Sequence, residues 1–514
     1  MELHQRIVSA PVDFGAVRTE FGLASGYPSE AVSEARDAVD AFAGDRVDRR
    51  EIPLVTIDPP GSMDLDQALC VERTPTGFLL YYAIADVAAV VVPGGPLDRE
   101  SLARGQTLYL PDGLIPLHPQ VLSEDRASLL PDQDRPAALW TIECDELAEP
   151  VRCSVTRALV RSRARLDYAG VQADADANRL PPAIAALPEF GRLRIEAGLR
   201  RGAINLRLPA QSVVRDDSEQ TGISHWQLVV EPRTAVDDWN EQVSLLTGMC
   251  AARIMLDVHN SAAASKTTAA PAGIPAEAAA ANGDPEYPGL LRTMPPAPAG
   301  AVESMRRTAA ALGVVWPADE SAGRMLAGLD PNTPTALVLM SEATSLLRGA
   351  SYTVLNGQTP DSVQHSAIGA PYAHVTAPLR RLADRYATEI CLAHCAGTEV
   401  PQWVRDGLKA AAEAMRRTDA ISAKLERACI DLTEATILAP RVGTDFDATV
   451  LREANHTRPA EIFIPTPPVL AKCLGSPPED KQVRVRLAEA DPASRTVTFV
   501  YAAETGDEQG EVRR

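Results

Sequence analysis

The stretch that says most about this 514-residue chain reads Thr56-Ile-Asp-Pro-Pro-Gly-Ser-Met-Asp-Leu-Asp-Gln67. It places three carboxylates, Asp58, Asp64 and Asp66, within nine residues, directly after the apolar run Pro53–Ile57. The apolar run predicts a buried strand, and the Pro-Pro-Gly sequence predicts a turn. If residues 64–66 are extended, Asp64 and Asp66 point to the same side, and the turn can bring Asp58 back toward them.

Three carboxylates this close repel one another, so they are tolerated only when solvated, protonated or bound to a cation. Oxygen-only ligands suit Mg²⁺ or Mn²⁺. A solvated acidic turn is the simpler alternative, and any acidic protein could carry one. A calcium loop is disfavoured because the chain lacks Asp-x-Asp-x-Asp-Gly with a Glu at the twelfth position. Taken alone, the motif favours a metal site only modestly over the solvated turn.

The pattern around this motif indicates an α+β chain with several parts. Residues 1–50 have helical spacing, strand-like runs follow to about residue 160, and helical patterns return from Val236. The Ala- and Pro-rich stretch 261–300 predicts a mostly irregular surface insert. The tail, 442–501, has short strands separated by turns, which favours a five-stranded barrel of the OB type, a fold that often binds single strands.

Composition narrows the class of protein. The chain has 50 Lys and Arg against 69 Asp and Glu, a formal net charge of −19, which argues against a protein that coats nucleic acid through bulk charge. An enzyme with a narrow basic channel stays possible. Its eight Cys residues include no CxxC pair, so neither a zinc site nor a disulfide framework is indicated. With no signal-peptide pattern and no long apolar run, we expect a soluble, cytoplasmic monomer without a membrane partner.

Longer blocks of the sequence resemble the ribonuclease II / ribonuclease R family, the RNB-domain exoribonucleases. The blocks are IPLVTIDPPGSMDLDQAL at 52–69, the run from YYAIADV to RPAAL at 81–139, VVEPRTAVDDWNEQVSLLTGMCAARIM at 229–255, PYAHVTAPLRRLADRYATEICL at 371–392 and AKLERACIDL at 423–432. They follow the order of the family and spread over most of the chain, and this ordered set makes the match specific.

The resemblance implies an α+β fold in which a mixed β-sheet is wrapped by helices around an RNA channel. It divides the chain into a short helical segment at 1–50, an RNB catalytic domain at 51–440 that contains the 261–300 insert, and a diverged OB-type RNA-binding domain at 441–505. The segment before the catalytic block is too short for the two N-terminal cold-shock domains that the family usually has. We therefore expect a short form that lacks them.

The activity that the resemblance implies is 3′→5′ hydrolysis of single-stranded RNA to nucleoside 5′-monophosphates, by a water that Mg²⁺ or Mn²⁺ activates. Asp58, Asp64 and Asp66 stand at the family's metal-binding aspartates, and Asp66 is also a catalytic candidate. Gln67 stands where the family has a fourth Asp, and a neutral amide is a weaker metal ligand. Glu426 matches the family's last active-site acid.

The sequence from Thr376 to Arg381 predicts a helix start with Thr376 as N-cap, a position that attracts anions. Arg380 matches the family's catalytic Arg. Arg381 and Arg385 are like charges at i,i+4, which is unfavourable without a nearby anion, so we expect Arg381 to bind RNA phosphate. The alternative is a solvated helix face in which Arg380 pairs with Asp384.

Four further positions match residues that hold RNA in the family. Tyr109 matches the aromatic that clamps the 3′-terminal nucleotide, and Leu206 aligns best with its stacking partner, which is a Phe in the family. Tyr168 and Glu241 match contacts to ribose, through which such a site prefers RNA to DNA. A Tyr in the core of a strand is the alternative for Tyr109.

Two other functions remain open. A catalytically impaired RNA-binding protein is favoured by Gln67, by Leu206 and by Arg292-Thr-Met-Pro-Pro296, which stands where the family has Arg-x-His-Glu. A metal-dependent phosphatase of small nucleotides is favoured by the acidic charge and the missing front domains. Metal-dependent release of mononucleotides from RNA would exclude the first, and activity on oligomers would exclude the second. With fewer RNA-binding barrels than its relatives, the protein should also be less processive.

Overall fold

The computed structural model describes residues 9–24, 26–206, 211–216, 225–230, 233–268, 288–330, 333–356, 360, 362–455, 458–478 and 482–502. The strands, in chain order, are β1 Ser9–Pro11, β2 Val47–Asp48, β3 Leu54–Asp58, β4 Gln67–Thr74, β5 Gly77–Ala85, β6 Leu108–Leu110, β7 Gly113–Ile115, β8 Asp134–Cys144, β9 Pro150–Asp167, β10 Gln211–Asp216, β11 His225–Val230, β12 Pro288–Thr293, β13 Ser351–Asn356, β14 Gln364–His365, β15 Ala370–Pro371, β16 Asp445–Arg452, β17 Ala460–Pro465, β18 Pro468–Leu474, β19 Gln482–Asp491 and β20 Thr496–Val500.

The helices, in the same order, are α1 Gly15–Glu20, α2 Ser29–Asp37, α3 Pro96–Arg104, α4 Tyr168–Asp176, α5 Leu187–Arg200, α6 Ala235–Thr268, α7 Ala299–Ala311, α8 Ala322–Ala327, α9 Pro334–Ala343, α10 Leu382–Ala396 and α11 Gln402–Leu438. Among the residues placed, no helix combines the length and apolar character needed to cross a bilayer.

The central sheet has the strand order β2-β9-β3-β4-β5-β8. Strand β9 runs parallel to β2 and β3, whereas the other neighbours are antiparallel, so the predicted mixed sheet is confirmed. The 18-residue β9 pairs with β8 along its first part and with β3 along its last, and the sheet curls back on itself. The apolar run at 53–57 forms β3, as its pattern predicted.

Helix α10 lies at the centre of the packing. Every residue from Leu382 to Ala393 is buried. The helix contacts β9, α6 and α11, so it is covered on several sides. A helix buried all round requires apolar or paired residues at every position. Replacing Leu382, which is 1% exposed, with Ala should therefore cost about 2–5 kcal/mol of stability.

The end of the chain forms the predicted five-stranded barrel. Strands β16-β17-β18-β20-β19 close on themselves, which leaves no free sheet edge. The barrel has its own apolar core, built from inward-facing residues that include Val450, Ile462, Leu487 and Phe499. Helix α11 leads into this barrel and contacts β19 and β20 near its end, and it contacts β6 earlier in its length.

Two sequence predictions were wrong in their local structure. The helix predicted to begin at Thr376 begins at Leu382, and a turn occupies the residues between them. Within 261–300, the described residues are more regular than predicted, because α6 continues to Thr268 and residues 288–293 form strand β12. Its partner, β13, lies about 60 residues further along the chain, so the local pattern gave no sign of this pairing. Residues 269–287 lie outside the described residues.

Candidate active site

The three predicted aspartates lie at one end of two inner strands of the central sheet, between the last residue of β3 and the first residue of β4. Asp58 is the last residue of β3. Gly61 turns the chain with φ +85°, a conformation that favours glycine. Leu65 is fully buried, and alternation along the extended chain directs its neighbours Asp64 and Asp66 to the opposite side.

The loop that carries these acids is held by a serine that the sequence analysis missed. The hydroxyl of Ser128 accepts a hydrogen bond from the Leu65 amide at 3.0 Å and donates to the Met63 carbonyl at 2.6 Å. The amide of Leu129 donates to the Leu65 carbonyl at 3.0 Å. These contacts fix residues 63–65 in an extended form. No spacing rule connects Ser128 to an acidic motif more than 60 residues earlier.

Asp66 and Arg380, predicted separately, lie together in the structure. The amide of Leu379 donates to Oδ1 of Asp66 at 2.7 Å, and Nε of Arg380 lies 3.3 Å from Oδ2. Asp66 is 3% exposed, whereas the Arg380 side chain keeps 45% of its surface exposed. A buried carboxyl is thus paired with a guanidinium that still faces solvent. The guanidinium is therefore accessible to a ligand that binds at this end of the strands.

The turn that carries Arg380 is organised by Asp384, which is fully buried. Oδ1 of Asp384 accepts a hydrogen bond from the Ala377 amide at 2.6 Å. Its carboxylate also accepts two hydrogen bonds from Arg381, at 3.0 Å from Nε and 2.8 Å from Nη2. The partner of Asp384 is therefore Arg381, and not Arg380 as the alternative reading of this helix supposed.

The clash predicted between Arg381 and Arg385 is resolved within the protein. Arg381 pairs with Asp384, and Arg385 is buried with its Nη1 2.5 Å from Oδ1 of Asp98. Each guanidinium thus has its own carboxylate, so the like charges require no RNA phosphate between them. The structure gives Arg381 an internal partner where the sequence predicted an RNA contact.

Gln67 also has a partner that its sequence position did not indicate. Its amide nitrogen donates to the Thr376 carbonyl at 2.5 Å. Gln67 is the first residue of β4, and Thr376 begins the turn that leads to Arg380. Gln67 therefore uses its Nε2 to join the sheet to this turn, a contact that leaves its Oε1, the atom that could bind a metal, unengaged.

Tyr109 lies near Arg380, in the middle strand position of a short hairpin formed by β6 and β7. The Thr107 amide donates to the Arg380 carbonyl at 2.9 Å, and Gln106 forms a β-bridge with Arg381. Tyr109 is 52% exposed, and its hydroxyl lies close enough to Arg380 for the guanidinium to influence its ionisation. Removal of the hydroxyl from water raises the pKa of Tyr109, and Arg380 opposes that shift. An aromatic face thus stands next to the catalytic candidate.

Tyr168 also lies close enough to Asp58 and Arg380 for their charges to act on its hydroxyl. It opens α4, whose N-cap residue Asp167 accepts a hydrogen bond from the Gly170 amide at 2.8 Å. Its hydroxyl accepts a hydrogen bond from Asn240 at 3.2 Å. Burial raises the pKa of Tyr168, and Asp58 adds to the shift. Asn240, which positions this hydroxyl, was not among the predicted residues.

Three predicted residues have other surroundings. Glu241 forms an ion pair with Arg233 at 2.7 Å, and burial raises its pKa. Leu206 packs against the apolar cluster that α7, α8 and α9 form around Met305 and Leu339. Glu426 is exposed on α11, and no hydrogen bond or ion pair joins it to the aspartates or Arg380 within the described residues.

The three aspartates share an electrostatic environment that is short of positive charge. Burial raises the pKa of Asp66 to about 8 and that of Asp58 to about 6, and it also raises the pKa of Asp64. The repulsion from Asp64 adds to the shifts of Asp58 and Asp66. Arg380 lowers the pKa of all three, but its one charge does not offset the burial of three acids.

The chemistry of these carboxyls fits a hard divalent cation, because oxygen ligands with raised pKa values gain most from a positive charge beside them. Their arrangement does not yet form a closed site. In the part of the chain that the structure describes, no three His, Cys, Asp or Glu side chains are grouped closely enough to hold a metal ion. Asp58, Asp64 and Asp66 would have to turn toward one another to bind one.

Two family models match the chain in the order of its two folded parts. The RNB domain model matches residues 46–395, and the model of the RNase II-type exonuclease C-terminal S1 domain matches residues 444–502. The first match covers the central sheet, the acidic loop and the Arg380 turn. The second coincides with the closed barrel.

Curated relatives and solved structures agree with these matches. The exosome complex exonuclease RRP44 homolog A of Arabidopsis thaliana is 27% identical over 70% of this chain and 36% of its own length. Ribonuclease R of Acidithiobacillus ferrooxidans is 34% identical over 37% of this chain and 46% of its own length. The chain therefore spans less than half the length of these two relatives.

Solved structures with this fold include proteins with different activities. RNase R of Mycoplasma genitalium, in complex with ribose-methylated single-stranded RNA, matches with a TM-score of 0.78 at 17% identity, covering 95% of this chain and 77% of that chain. Yeast Ssd1, described as a pseudonuclease, matches with a TM-score of 0.61 at 17% identity, covering 83% of this chain and 50% of that chain. At 17% identity, these matches show a shared fold and do not show a shared activity. By the extent of its domain match, the chain belongs to the RNB-domain family.

Proposed function

We propose that the protein is a hydrolytic 3′→5′ exoribonuclease that degrades single-stranded RNA to nucleoside 5′-monophosphates. The observation that carries the proposal is the joining of Asp66 to the Arg380 turn, through the Leu379 amide at 2.7 Å and the guanidinium at 3.3 Å. This contact brings three acids, a half-exposed arginine and an exposed tyrosine together at one end of the inner strands β3 and β4. Curated relatives named as exonucleases and ribonucleases support the same activity.

Each residue of the group has a use in phosphodiester hydrolysis. Nε of Arg380 lies 3.3 Å from Asp66 and 45% of the side-chain surface is exposed, so the guanidinium can donate hydrogen bonds to the scissile phosphate as negative charge develops. Tyr109 offers an exposed ring on which a terminal base can stack regardless of its identity. The hydroxyl of Tyr168, oriented by Asn240, can bond a ribose hydroxyl.

A divalent cation is part of the proposal. Held by Asp58, Asp64 and Asp66, it would supply an activated water and positive charge for the leaving oxygen. Mg²⁺, or Mn²⁺ in its place, suits an all-oxygen donor set. The raised pKa values of Asp58 and Asp66 support this, since the site holds more buried carboxylate than Arg380 can neutralise.

A catalytically impaired RNA-binding protein is the second candidate, and particular observations favour it. Position 67 carries a neutral amide and not a carboxylate, Glu426 is exposed on α11, and a pseudonuclease shares the fold. Against it stands the retention of all three aspartates beside Arg380. The two candidates differ in whether RNA is cut, because both should bind it.

Product analysis on uniformly labelled RNA would test the proposal. The protein is incubated with Mg²⁺ and a single-stranded RNA, a DNA of the same sequence, or free nucleotides, and the products are separated by thin-layer chromatography. We expect nucleoside 5′-monophosphates from RNA and little from DNA. Intact RNA that is nevertheless bound would support the impaired protein. Release of phosphate from nucleotides without cleavage of RNA would identify a phosphatase.

A further inference from the structure

Gln67 lies at the junction between the acidic loop and the turn that carries Arg380. Its Nε2 donates to the Thr376 carbonyl at 2.5 Å, and Thr376 is 3% exposed. A carbonyl buried this well needs a donor, since losing its partner leaves it without water to replace the bond. The side chain of Gln67 therefore has a structural contact of its own, separate from any ligand.

Two consecutive residues, the last before β4 and the first of β4, hold opposite ends of the same short turn. Gln67 binds the carbonyl of Thr376, and Asp66 accepts from the amide of Leu379, three residues further on. Inside the turn, the Arg380 and Arg381 amides donate to the Ala377 carbonyl at 3.2 Å and 2.9 Å. A short turn fixed at two points cannot rotate freely. The direction in which Arg380 leaves the turn is thereby set.

An aspartate at position 67 could not make this contact. A carboxylate has no N–H to donate, and it would put a second negative charge beside both the Thr376 carbonyl and Asp66. A glutamine is long enough to reach and carries the donor that is needed. Gln67, which departs from the acidic pattern of the loop, thus supplies the N–H donor that the Thr376 carbonyl needs.

We propose that Gln67 is a positioning residue that holds the Arg380 turn against the sheet through its Nε2. The inference rests on the proposed function for its effect on rate, because it assigns Gln67 a role that is exerted through Arg380. The contact itself can be tested without any activity. Hydrogen exchange of the turn therefore tests the role of Gln67 even if the protein does not hydrolyse RNA.

The first test is hydrogen exchange, followed by mass spectrometry, of the protein in chelator. Gln67→Glu keeps the size of the side chain and removes the Nε2 donor, and Gln120→Glu makes the same change at an exposed position. Amides of the peptide spanning 376–381 should exchange about tenfold faster in Gln67→Glu, the scale of one lost buried hydrogen bond. They should be unchanged in Gln120→Glu. Equal exchange in the two variants would overturn the proposal, whether or not the protein cuts RNA.

The second test is a double-mutant cycle on RNA hydrolysis. Gln67→Glu and Gln67→Asp should each lower kcat about tenfold, with little change in the KM for RNA. In an Arg380→Lys background, Gln67→Glu should have no further effect, because the residue it positions has already been altered. Multiplicative losses in the double variant would place the action of Gln67 elsewhere. Turnover by Gln67→Asp that equals or exceeds that of the wild type would show that the contact to Thr376 does not position Arg380 and would refute the proposal.

Discussion

The guanidinium of Arg380 and the carboxylate of Asp66 lie 3.3 Å apart, although one is in a turn before α10 and the other precedes β4. The Leu379 amide binds the same carboxylate, so the acid contacts both the backbone and the side chain of the turn. The position of the Asp66 carboxyl, which is also the proposed metal ligand, therefore helps to determine the position of the Arg380 guanidinium. The buried carboxyl and the exposed guanidinium are thus coupled, and a change at either residue should affect the other.

Arg380→Ala should lower kcat on single-stranded RNA about 10²–10³-fold, the usual loss when a donor to developing charge is removed. Arg380→Lys should recover only part of the rate, because an ammonium keeps the charge but not the forked donors. Single-turnover kinetics at saturating RNA would measure this. Arg307→Ala, at an exposed position on α7, serves as the control for loss of positive charge. An Arg380→Ala variant with the rate of that control would contradict the role of Arg380.

Affinity for Mn²⁺ should rise between pH 6 and pH 8. The pKa of Asp66 is raised to about 8 and that of Asp58 to about 6, so below these values a proton occupies an oxygen that the cation needs. Affinity should therefore fall by up to about tenfold for each pH unit below the pKa of Asp66, one proton being displaced per cation. Mn²⁺ titration followed by electron paramagnetic resonance would measure it.

The same titration on Asp66→Asn provides the comparison for this pH dependence. The variant should bind more weakly and lose most of the slope between pH 6 and pH 8, since Asp66 is gone and Asp58 contributes only near pH 6. A wild-type affinity that does not change between pH 6 and pH 8 would show that the cation does not compete with protons on these carboxyls.

Tyr109→Ala should weaken binding of single-stranded RNA by about 1–3 kcal/mol, the value of one base stacked on an aromatic ring. Tyr109→Phe keeps the ring and should bind nearly as well, although it removes the hydroxyl that lies near Arg380. Fluorescence anisotropy in chelator, on an RNA labelled at its 5′ end, would compare them. Leu114→Ala, directly opposite Tyr109 in the hairpin, controls for damage to β6 and β7. Equal affinities for Tyr109→Ala and Leu114→Ala would rule out the stacking role.

Asp384→Ala should lower the free energy of unfolding by about 3–5 kcal/mol, because it leaves the buried Ala377 amide and the Arg381 guanidinium without their partner. Asp384→Asn should cost less, since its carbonyl can still accept from Ala377. Urea unfolding with both variants would give the difference. A role of Arg381 in RNA binding predicts something else, namely that Arg381→Gln leaves stability intact and lowers the salt dependence of RNA affinity.

Several features of the site could be predicted because they are local. Alternation around Leu65 places Asp64 and Asp66 on one side, and the apolar run before Asp58 forms the strand that ends there. The barrel strands near Phe446 and Val485 likewise follow from their own alternating residues. Tyr109 and Arg380 were found through resemblance to a family, which carries information about tertiary contacts that spacing lacks.

What could not be predicted depends on partners distant in sequence. Arg385 finds Asp98, Gln67 finds Thr376, and Ser128 supports the acidic loop, and none of these pairs has a periodic signature. The helix start was placed six residues early because Thr376 and Pro378 have the right residue types for a cap and a first turn. Asp384 binds the Ala377 amide instead and stabilises a separate turn.

The most direct test of the central claim is a time course on a 5′-labelled single-stranded RNA, resolved on a denaturing gel. Wild-type protein is assayed with Mg²⁺ and with chelator, and Asp66→Asn is assayed with Mg²⁺. The proposed exoribonuclease predicts a ladder that shortens from the 3′ end only for the wild type with Mg²⁺. RNA that stays full length with Mg²⁺ and with Mn²⁺, or cleavage that persists in chelator or in Asp66→Asn, would contradict it.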